Sequence, residues 1–289
     1  MPTYTRPPMP DPREWRSLPI GPRTIILGVI NMTLDSVSGD GLGADPDAAV
    51  ERGRQLVASG ADALDVGGES TRPGAAPVSE REELRRVVPA IESLAAAVDV
   101  PIAVDTMKAA VAGAALVAGA TIVNDVSGLR ADPAMADTAA RHGAAIIVGH
   151  WARAAWHTGI PAGADPIELV TAHLLESARR AMAAGLPKDA VWLDPGLGFG
   201  IRAETSLALM RGLARVVALG HPVVVGPSRK GFIGQVLGLP PARDWEGAAA
   251  LVSLAIAWGA HIVRVHDVAR LARVARMADA VVAAGRGNR

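Results

Sequence analysis

The sequence predicts a single α/β domain, a (β/α)8 TIM barrel. Eight short apolar runs, of the kind that form buried strands, alternate with stretches of helical spacing over about 240 residues, close to the length typical of this barrel. Four of the helical stretches end in glycine followed by alanine or leucine, a typical stop signal before the next strand. Polar or ionisable residues follow every predicted strand, where such a barrel carries its active site.

The strands are predicted because each run is rich in apolar and β-branched residues without polar alternation, as in parallel strands buried on both faces. A proline-rich arm, residues 1–23, comes first and is expected to close one end of the fold. The barrel is then expected to take residues 24–289. Strands are expected at 24–30, 61–66, 101–104, 120–123, 144–148, 190–193, 222–225 and 260–265.

The helices are predicted from apolar spacing together with their end signals. Asp45 is the expected N-cap of the first helix, with Pro46 at its first position. Ser79 opens the second helix, and Glu82 three residues later completes a capping box. Helices are expected at 45–59, 79–98, 107–118, 133–142, 165–184, 203–219, 244–258 and 268–284, with helical turns after the seventh strand.

An open, doubly wound sheet is the main alternative, because it shows the same alternation of strand and helix. No G-x-G-x-x-G follows the first strand, which disfavours a dinucleotide-binding sheet. In a closed barrel, by contrast, the ends of all eight strands converge on one mouth.

The composition limits the partners that we expect. Half of the 289 residues are hydrophobic, and 29 Lys and Arg balance 29 Asp and Glu. This balance gives no sign of a nucleic-acid or membrane partner. The chain has no cysteine, which rules out disulfides and thiol chemistry. With no signal-peptide pattern and no apolar run long enough to span a membrane, a cytoplasmic location and small-molecule partners are expected.

Three strand-end residues suit a flat, nitrogen-rich ring. Asp105, Asn124 and Asp194 follow three different strands and should point into the same mouth. Carboxylates and an amide hydrogen-bond well to an amidine-like edge. Taken singly, Asn124 could equally be a core amide, and Asp194 a turn residue before Pro195.

Other strand-end residues suit an anion. Arg72, Lys230, Arg264 and His266 are donors to an oxyanion or diphosphate. Arg264 and His266 alternate at strand spacing and therefore face the same way. Taken singly, Arg264 could be a core ion-pair partner and His266 a helix cap. The helix start at Gly231 adds backbone N–H donors for an anion.

The first two strand ends add a cation ligand and a glycine-rich loop. Asn31 offers a neutral oxygen to a hard cation such as Mg²⁺, which usually binds phosphate and keeps waters. The stretch at 65–74 reads DVGGESTRPG, in which the glycines permit a close backbone approach and Thr71 adds a hydroxyl donor next to Arg72.

These motifs, in this order, resemble the dihydropteroate synthase family. The resemblance runs from about residue 24 to the C-terminus. It implies a (β/α)8 barrel, a homodimer, Mg²⁺, and a reaction that joins a dihydropterin diphosphate to p-aminobenzoate. The motifs are NMTLDS at 31–36, GGESTRPG at 67–74, VDT at 104–106, ND at 124–125, DPGLGFG at 194–200, SRK at 228–230 and RVHD at 264–267.

The resemblance also implies residue roles. Asp105, Asn124, Asp194 and Lys230 would hold the pterin, and Arg264 would stack on it. The diphosphate and its Mg²⁺ would be met by Asn31, Arg72, Arg264 and His266, with Asn31 as the metal ligand. Thr71, Arg72, Pro73, Phe199 and Gly231 would form the p-aminobenzoate side. The catalytic set would be Asp105, Lys230, Arg264 and His266.

Two alternatives stay open beside the synthase. One is a pterin-dependent methyltransferase domain, whose barrel is similar but has no need of the SRK motif and usually sits beside a corrinoid domain. The other is a non-catalytic or altered-acceptor pterin-binding relative, because the chain departs from the family pattern. It has Leu34 for proline, Val37 for phenylalanine, Gly149 and Trp151 for methionines, Ile201 for lysine and Gly231 for serine.

We predict that the double change Leu34→Pro with Val37→Phe lowers the KM for p-aminobenzoate and leaves pterin affinity nearly unchanged. Proline reduces the entropy that a loop loses on ordering, by about 0.4–1 kcal/mol, and an aromatic contact adds about 0.5–1.5 kcal/mol. Steady-state kinetics check this prediction, and a KM that stays the same or rises would contradict it.

Overall fold

The computed structural model describes residues 13–33, 41–71, 75–151, 164–199, 201–239 and 244–286. These residues form one parallel sheet with helices between its strands, as the sequence predicts. The strands are β1 (Ile25–Asn31), β2 (Ala63–Gly67), β3 (Ile102–Asp105), β4 (Ile122–Asp125), β5 (Ala145–Gly149), β6 (Val191–Asp194), β7 (Val224–Val225) and β8 (Ile262–Val265).

The sheet closes on itself. Its strand order is β6-β5-β4-β3-β2-β1-β8-β7, so each consecutive pair lies side by side except β6 and β7 at the two edges. A parallel bridge between Leu193 and Val223 joins those edges, and the Leu193 N–H donates to the Pro222 carbonyl at 2.8 Å. The (β/α)8 barrel is therefore confirmed, and the open, doubly wound sheet is excluded.

The helices follow the predicted order with one difference. They are α1 (Pro46–Ala58), α2 (Glu80–Ala97), α3 (Ala109–Val117), α4 (Met135–Arg141), α5 (Pro166–Ala183), α6 (Ala203–Arg211), α7 (Leu213–Val217), α8 (Gly231–Leu237), α9 (Trp245–Ala257) and α10 (Val268–Arg286). The single helix expected at 203–219 is divided at Gly212. A Cβ there would lie 2.7 Å from Ile167 of α5, so the chain passes too close to α5 for a larger residue.

The strands begin later than predicted. Most of them also extend one or two residues further at their C-terminal ends. Asn31, Asp105, Asp125 and Asp194 are the last residues of β1, β3, β4 and β6. Apolar patterning stops at the last apolar side chain, whereas backbone pairing continues onto the next polar residue. These polar side chains are therefore held by the sheet rather than by flanking loops.

The opposite end of the barrel is covered by the described part of the arm. Trp15 is 4% exposed, and its indole Nε1 donates to the Gly143 carbonyl at 3.1 Å. Its ring packs edge-on against Trp192, with centroids 6.4 Å apart. Gly143 and Trp192 lie near the starts of β5 and β6, so Trp15 packs at the end of the barrel opposite the mouth.

Among the helices of the described residues, none has both the length and the apolar character needed to span a bilayer.

Candidate active site

Sheet register sets the predicted residues of four neighbouring strands at one level. Asn31 pairs with Gly67, Gly67 with Asp105, and Asp105 with Asn124. On the far side of β5, Gly149 pairs with Asp194. The side chains that the sequence predicts for a ligand ring therefore share one rim of the barrel mouth.

Arg264 of β8 reaches across the mouth to two carboxylates. Its Nη2 donates to Asp105 Oδ2 at 2.7 Å, and its Nε donates to Asp65 Oδ2. The amide of Asn124 donates to the same Asp65 oxygen at 3.0 Å. The structure thus joins Asp105, Asn124 and Arg264 through Asp65. Arg264 is an ion-pair partner, and its side chain keeps 15% exposure at the mouth.

Asp65 begins the 65–74 stretch that stands out in the sequence, but no site role was predicted for it. It is fully buried in β2, two residues before Gly67. Its second oxygen, Oδ1, is buried and has no hydrogen-bond partner among the described residues, so it remains available as an acceptor for a donor from outside them. The available signal was a carboxylate inside an apolar strand, because such a group is rarely buried without a specific partner.

Asp194 is held by its own turn as well as by the sheet. It is 6% exposed, and its Oδ1 accepts the Gly196 N–H at 2.8 Å. Gly196 has a φ of +75°, and a Cβ there would lie 2.0 Å from the His150 carbonyl oxygen. Only glycine fits this turn, which therefore fixes the direction of the Asp194 carboxylate.

Among the described residues of the pocket, the carboxylates outnumber the cationic side chains. Burial raises the pKa of Asp105 to about 7, against the opposing charges of Arg264 and Lys230. The nearby charge of Asp65 raises this pKa further. Burial also raises the pKa of Asp194, which the Gly196 N–H opposes. Such a pocket favours a ligand that brings hydrogen-bond donors to buried acceptors.

Lys230 contacts the loop that follows β6. Its Nζ lies 3.7 Å from the ring centroid of Phe199, a cation–π contact. Its stem packs against Gly198, where a Cβ would approach it to 3.1 Å. Gly231, the next residue, starts α8, and a Cβ there would meet nothing within 4 Å. The side of Gly231 that a side chain would occupy is therefore open, and its backbone N–H is the first of α8.

Asp244, at the start of α9, lies close to the turn that carries Lys230. Arg229 has a φ of +57°, a conformation that costs a non-glycine residue about 1–2 kcal/mol. Burial raises the pKa of the Asp244 carboxyl, at the start of α9, and the nearby backbone N–H groups of Arg229 and Lys230 oppose that rise. The sequence analysis missed Asp244 because nothing local links it to the SRK motif.

His266 follows β8 and is held on two sides. Its Nδ1 lies 3.1 Å from Ser228 Oγ, and its carbonyl accepts Arg52 Nη2 at 3.1 Å. Asn31, half-buried at the end of β1, has its carbonyl bonded to the Leu42 N–H at 2.9 Å. Asn31 and His266, which are both predicted for the diphosphate, therefore lie at the ends of the adjacent strands β1 and β8.

The loop after β2 is described as far as Thr71, which is half-buried. Arg72 and Pro73 lie outside the described residues, as do Leu34 and Val37. The base of the loop is tied by an ionic cluster in which Lys108, before α3, donates to Glu69 and to the fully buried Glu83 of α2. Lys108 does not stand out in the sequence, because it is distant in the chain from both carboxylates.

One departure from the family pattern has a clear structural setting. A Cβ on Gly149 would lie 2.7 Å from the Cα of Val126, so β5 runs against the loop after β4 at this point. A methionine would not fit without moving that loop. Gly149 therefore cannot make the contact of the family's methionine, whereas the carboxylates of the pocket are retained.

The comparisons with known proteins agree with this geometry. The profile of the family described as pterin binding enzyme matches residues 27–266. The chain is 43% identical to the dihydropteroate synthase of Bacillus subtilis, over 91% of this chain and 90% of that one. It is 45% identical to the dihydropteroate synthase of Mycobacterium leprae, over 84% and 88% of the two chains.

Solved structures give the same result. The Xanthomonas albilineans dihydropteroate synthase with 4-aminobenzoic acid has a TM-score of 0.82 at 40% identity, with 90% of this chain and 93% of that chain covered. Another structure of that enzyme holds 7,8-dihydropteroate and has a TM-score of 0.79 at 37% identity, with 90% and 94% covered.

Fold and site together define a barrel enzyme of the pterin-binding class. Within that class the chain belongs to the dihydropteroate synthase family, whose members are transferases. The relatives disfavour the methyltransferase alternative.

We predict that pterin affinity depends on the ionisation of Asp105. The ionised carboxylate accepts ring N–H donors, so affinity should be highest above the pKa of about 7 and fall as the pH drops through it. Asp105→Asn should weaken binding by about tenfold and flatten this pH dependence. Calorimetry with a dihydropterin alcohol measures both effects.

The exposed Asp99, before β3, provides the matched control, since Asp99→Asn should leave the affinity and its pH profile unchanged. An Asp105→Asn variant with wild-type affinity and the same pH profile would place the ring elsewhere.

Proposed function

We propose that this chain condenses 6-hydroxymethyl-7,8-dihydropterin diphosphate with p-aminobenzoate, giving 7,8-dihydropteroate and diphosphate. The observation that carries the proposal is the set of buried acceptors at the mouth, above all Asp65 and Asp105 joined by Arg264. This set suits the donor-rich edge of a pterin. Its place in a dihydropteroate synthase barrel supplies the reaction class.

The pterin ring is proposed to lie against the carboxylate rim. Asp105, Asp194 and Asn124 would pair with the ring's donors and acceptors, and Lys230 would meet its carbonyl oxygen. The Arg264 side chain is 15% exposed, and this exposed part would stack on the ring while its N–H groups stay bound to the two carboxylates. The ring is thereby fixed at its edge and on one face, which orients the reacting methylene.

The leaving diphosphate is proposed to lie on the cationic side, with Asn31, Arg72, Arg264 and His266. A Mg²⁺ ion fits here as a companion of the substrate. The described residues hold no cluster of three His, Cys, Asp or Glu, and Mg²⁺ is often bound by one or two protein oxygens plus phosphates and waters. Asn31 would supply the protein oxygen, and the bound ion would add charge neutralisation.

In the proposed reaction the bond between the methylene carbon and the diphosphate oxygen breaks, and its electron pair leaves with the oxygen. Donors such as Arg264 and His266 stabilise that developing charge. The electron-rich pterin carries cationic character on the methylene. The amine lone pair then forms the new C–N bond, and the nitrogen passes one proton to water or to the released diphosphate. A strongly basic side chain is not needed for this weakly basic amine.

The p-aminobenzoate side is proposed to use Thr71, Pro73, Phe199 and the backbone N–H of Gly231. Phe199 can cover the aromatic ring, and the Gly231 N–H at the start of α8 can meet the carboxylate. The direct contact between Phe199 and Lys230 would place the amine next to the bound pterin.

The experiment that tests this function measures diphosphate release from the dihydropterin diphosphate, with and without p-aminobenzoate. A synthase should form dihydropteroate in step with diphosphate when the amine is present. Tight pterin binding with no turnover in either condition would favour the non-catalytic relative instead.

We predict that Asn31→Ala and His266→Ala weaken binding of the diphosphate substrate by about 10- to 100-fold and barely change affinity for the free pterin alcohol. A lost hydrogen bond to a charged group accounts for that range. Calorimetry with both ligands separates the two effects. Asp105→Asn is the contrasting variant, because it should weaken both ligands alike. Equal losses for the two ligands in the Asn31 or His266 variant would remove these residues from the leaving-group side.

We also propose a homodimer in the cytoplasm. The resemblance to the family is the basis for the homodimer, and α10 provides a candidate surface, with Met277 66% and Val281 62% exposed one turn apart. Leu254 on the neighbouring α9 is 43% exposed. The cytoplasmic location rests on sequence composition alone.

We predict that Met277→Glu shifts the protein from dimer to monomer in analytical ultracentrifugation, because a buried unpaired charge would oppose association. Val117→Glu, at a 78% exposed position of α3, is the matched control and should leave the oligomeric state unchanged. A wild-type monomer would rule out the dimer, and a dimeric Met277→Glu variant would place the interface elsewhere.

A further inference from the structure

Ser228 makes contacts that its place in the SRK motif does not explain. It follows β7 and is 6% exposed. Its Oγ lies 3.1 Å from Nδ1 of His266 and 3.3 Å from the backbone nitrogen of the same residue. The pairing of β7 with β8 brings the two residues together across 38 positions of sequence.

The two contacts define the direction of the hydrogen bond to the ring. A backbone N–H can only donate, so Ser228 Oγ accepts from the His266 amide. The hydroxyl has one proton to give, and among the described residues its remaining hydrogen-bond partner is His266 Nδ1. If Nδ1 also donated, the buried hydroxyl proton would have no acceptor there, which is costly. Ser228 therefore donates, and Nδ1 accepts.

We infer that Ser228 is a positioning residue that holds His266 in the tautomer with its proton on Nε2. The inference rests on the proposed function, in which His266 donates to the departing diphosphate. A neutral imidazole has one donor and one acceptor nitrogen, and the bond made by one nitrogen decides the role of the other. With Nδ1 occupied as an acceptor, Nε2–H is the donor that the ring can offer an anion.

The backbone of His266 also has a contact that does not involve this hydroxyl. Arg52 of α1 donates to the His266 carbonyl at 3.1 Å. Loss of the Ser228 hydroxyl should therefore release the tautomer while the residue stays in place. The alternative tautomer would turn a lone pair of Nε2 toward the oxygens of the diphosphate, which repels them.

Nitrogen NMR tests the tautomer directly. Wild-type protein labelled with ¹⁵N-histidine, at alkaline pH where an imidazole is neutral, should show His266 with its proton on Nε2. His266→Gln assigns the signal. Ser228→Ala should give a mixture of tautomers or the Nδ1–H form, and Ser228→Thr, which keeps the hydroxyl, should restore the Nε2–H form.

Kinetics provide the second readout. Ser228→Ala should lose about tenfold in kcat/KM with the dihydropterin diphosphate and keep its affinity for the pterin alcohol, and Ser228→Thr should recover most of that loss. Ser253→Ala is the matched control, because the Ser253 hydroxyl donates to the Ala249 carbonyl of its own helix α9. It should change neither the tautomer nor the kinetics.

The outcomes separate the inference from the function that it serves. A wild-type His266 protonated on Nδ1, or a tautomer that Ser228→Ala leaves unchanged, would overturn the inference whatever the activity. A tautomer that follows the Ser228 hydroxyl in a protein without turnover would uphold the assignment and count against the proposed reaction.

Discussion

The site depends on one buried guanidinium held between two carboxylates. Arg264 ties β8 to β2 through Asp65 and to β3 through Asp105, and Asn124 of β4 is bonded to the same Asp65 oxygen. Burying these charges has a desolvation cost that their attraction offsets only when the geometry is good, and removing one partner of such a pair typically costs about 3–5 kcal/mol. A hydrophobic core would fill this space at lower cost. The charges are therefore best explained by the ligand that they prepare to meet.

This arrangement divides the mouth into two electrostatic halves. The carboxylates hold the ring side, where burial keeps the pKa of Asp105 and Asp194 above their usual range. His266 and the strand end at Asn31 hold the side proposed for the diphosphate. Arg264 borders both halves, because its N–H groups are engaged by carboxylates while part of its surface stays exposed. A substrate with a donor-rich ring at one end and an anion at the other matches this polarity in one orientation.

Sequence patterning predicted the barrel and the rim of the site, because buried parallel strands leave long apolar runs and their ends carry the polar residues. It placed Asp65 at the start of the 65–74 stretch but gave it no role in the site, because its partners from β4 and β8 are known only from the structure. Asp244 and Lys108 were missed for the same reason, since their partners are distant in sequence. The division at Gly212 was missed because it depends on the approach of Ile167 from another helix.

The distribution of departures from the family pattern follows from the same physics. On the ring side Asp65, Asp105, Asn124 and Asp194 are buried, so losing one leaves a partner unsatisfied at a cost of about 1–3 kcal/mol, and this side matches the family pattern apart from Gly149. The changes at Leu34, Val37 and Gly231 are proposed to affect the second substrate, where one apolar contact can be exchanged for another at smaller cost. Gly231 illustrates the limit of this tolerance. It gives up a side chain into open space yet keeps the backbone N–H that starts α8, so the donor proposed for the carboxylate is preserved.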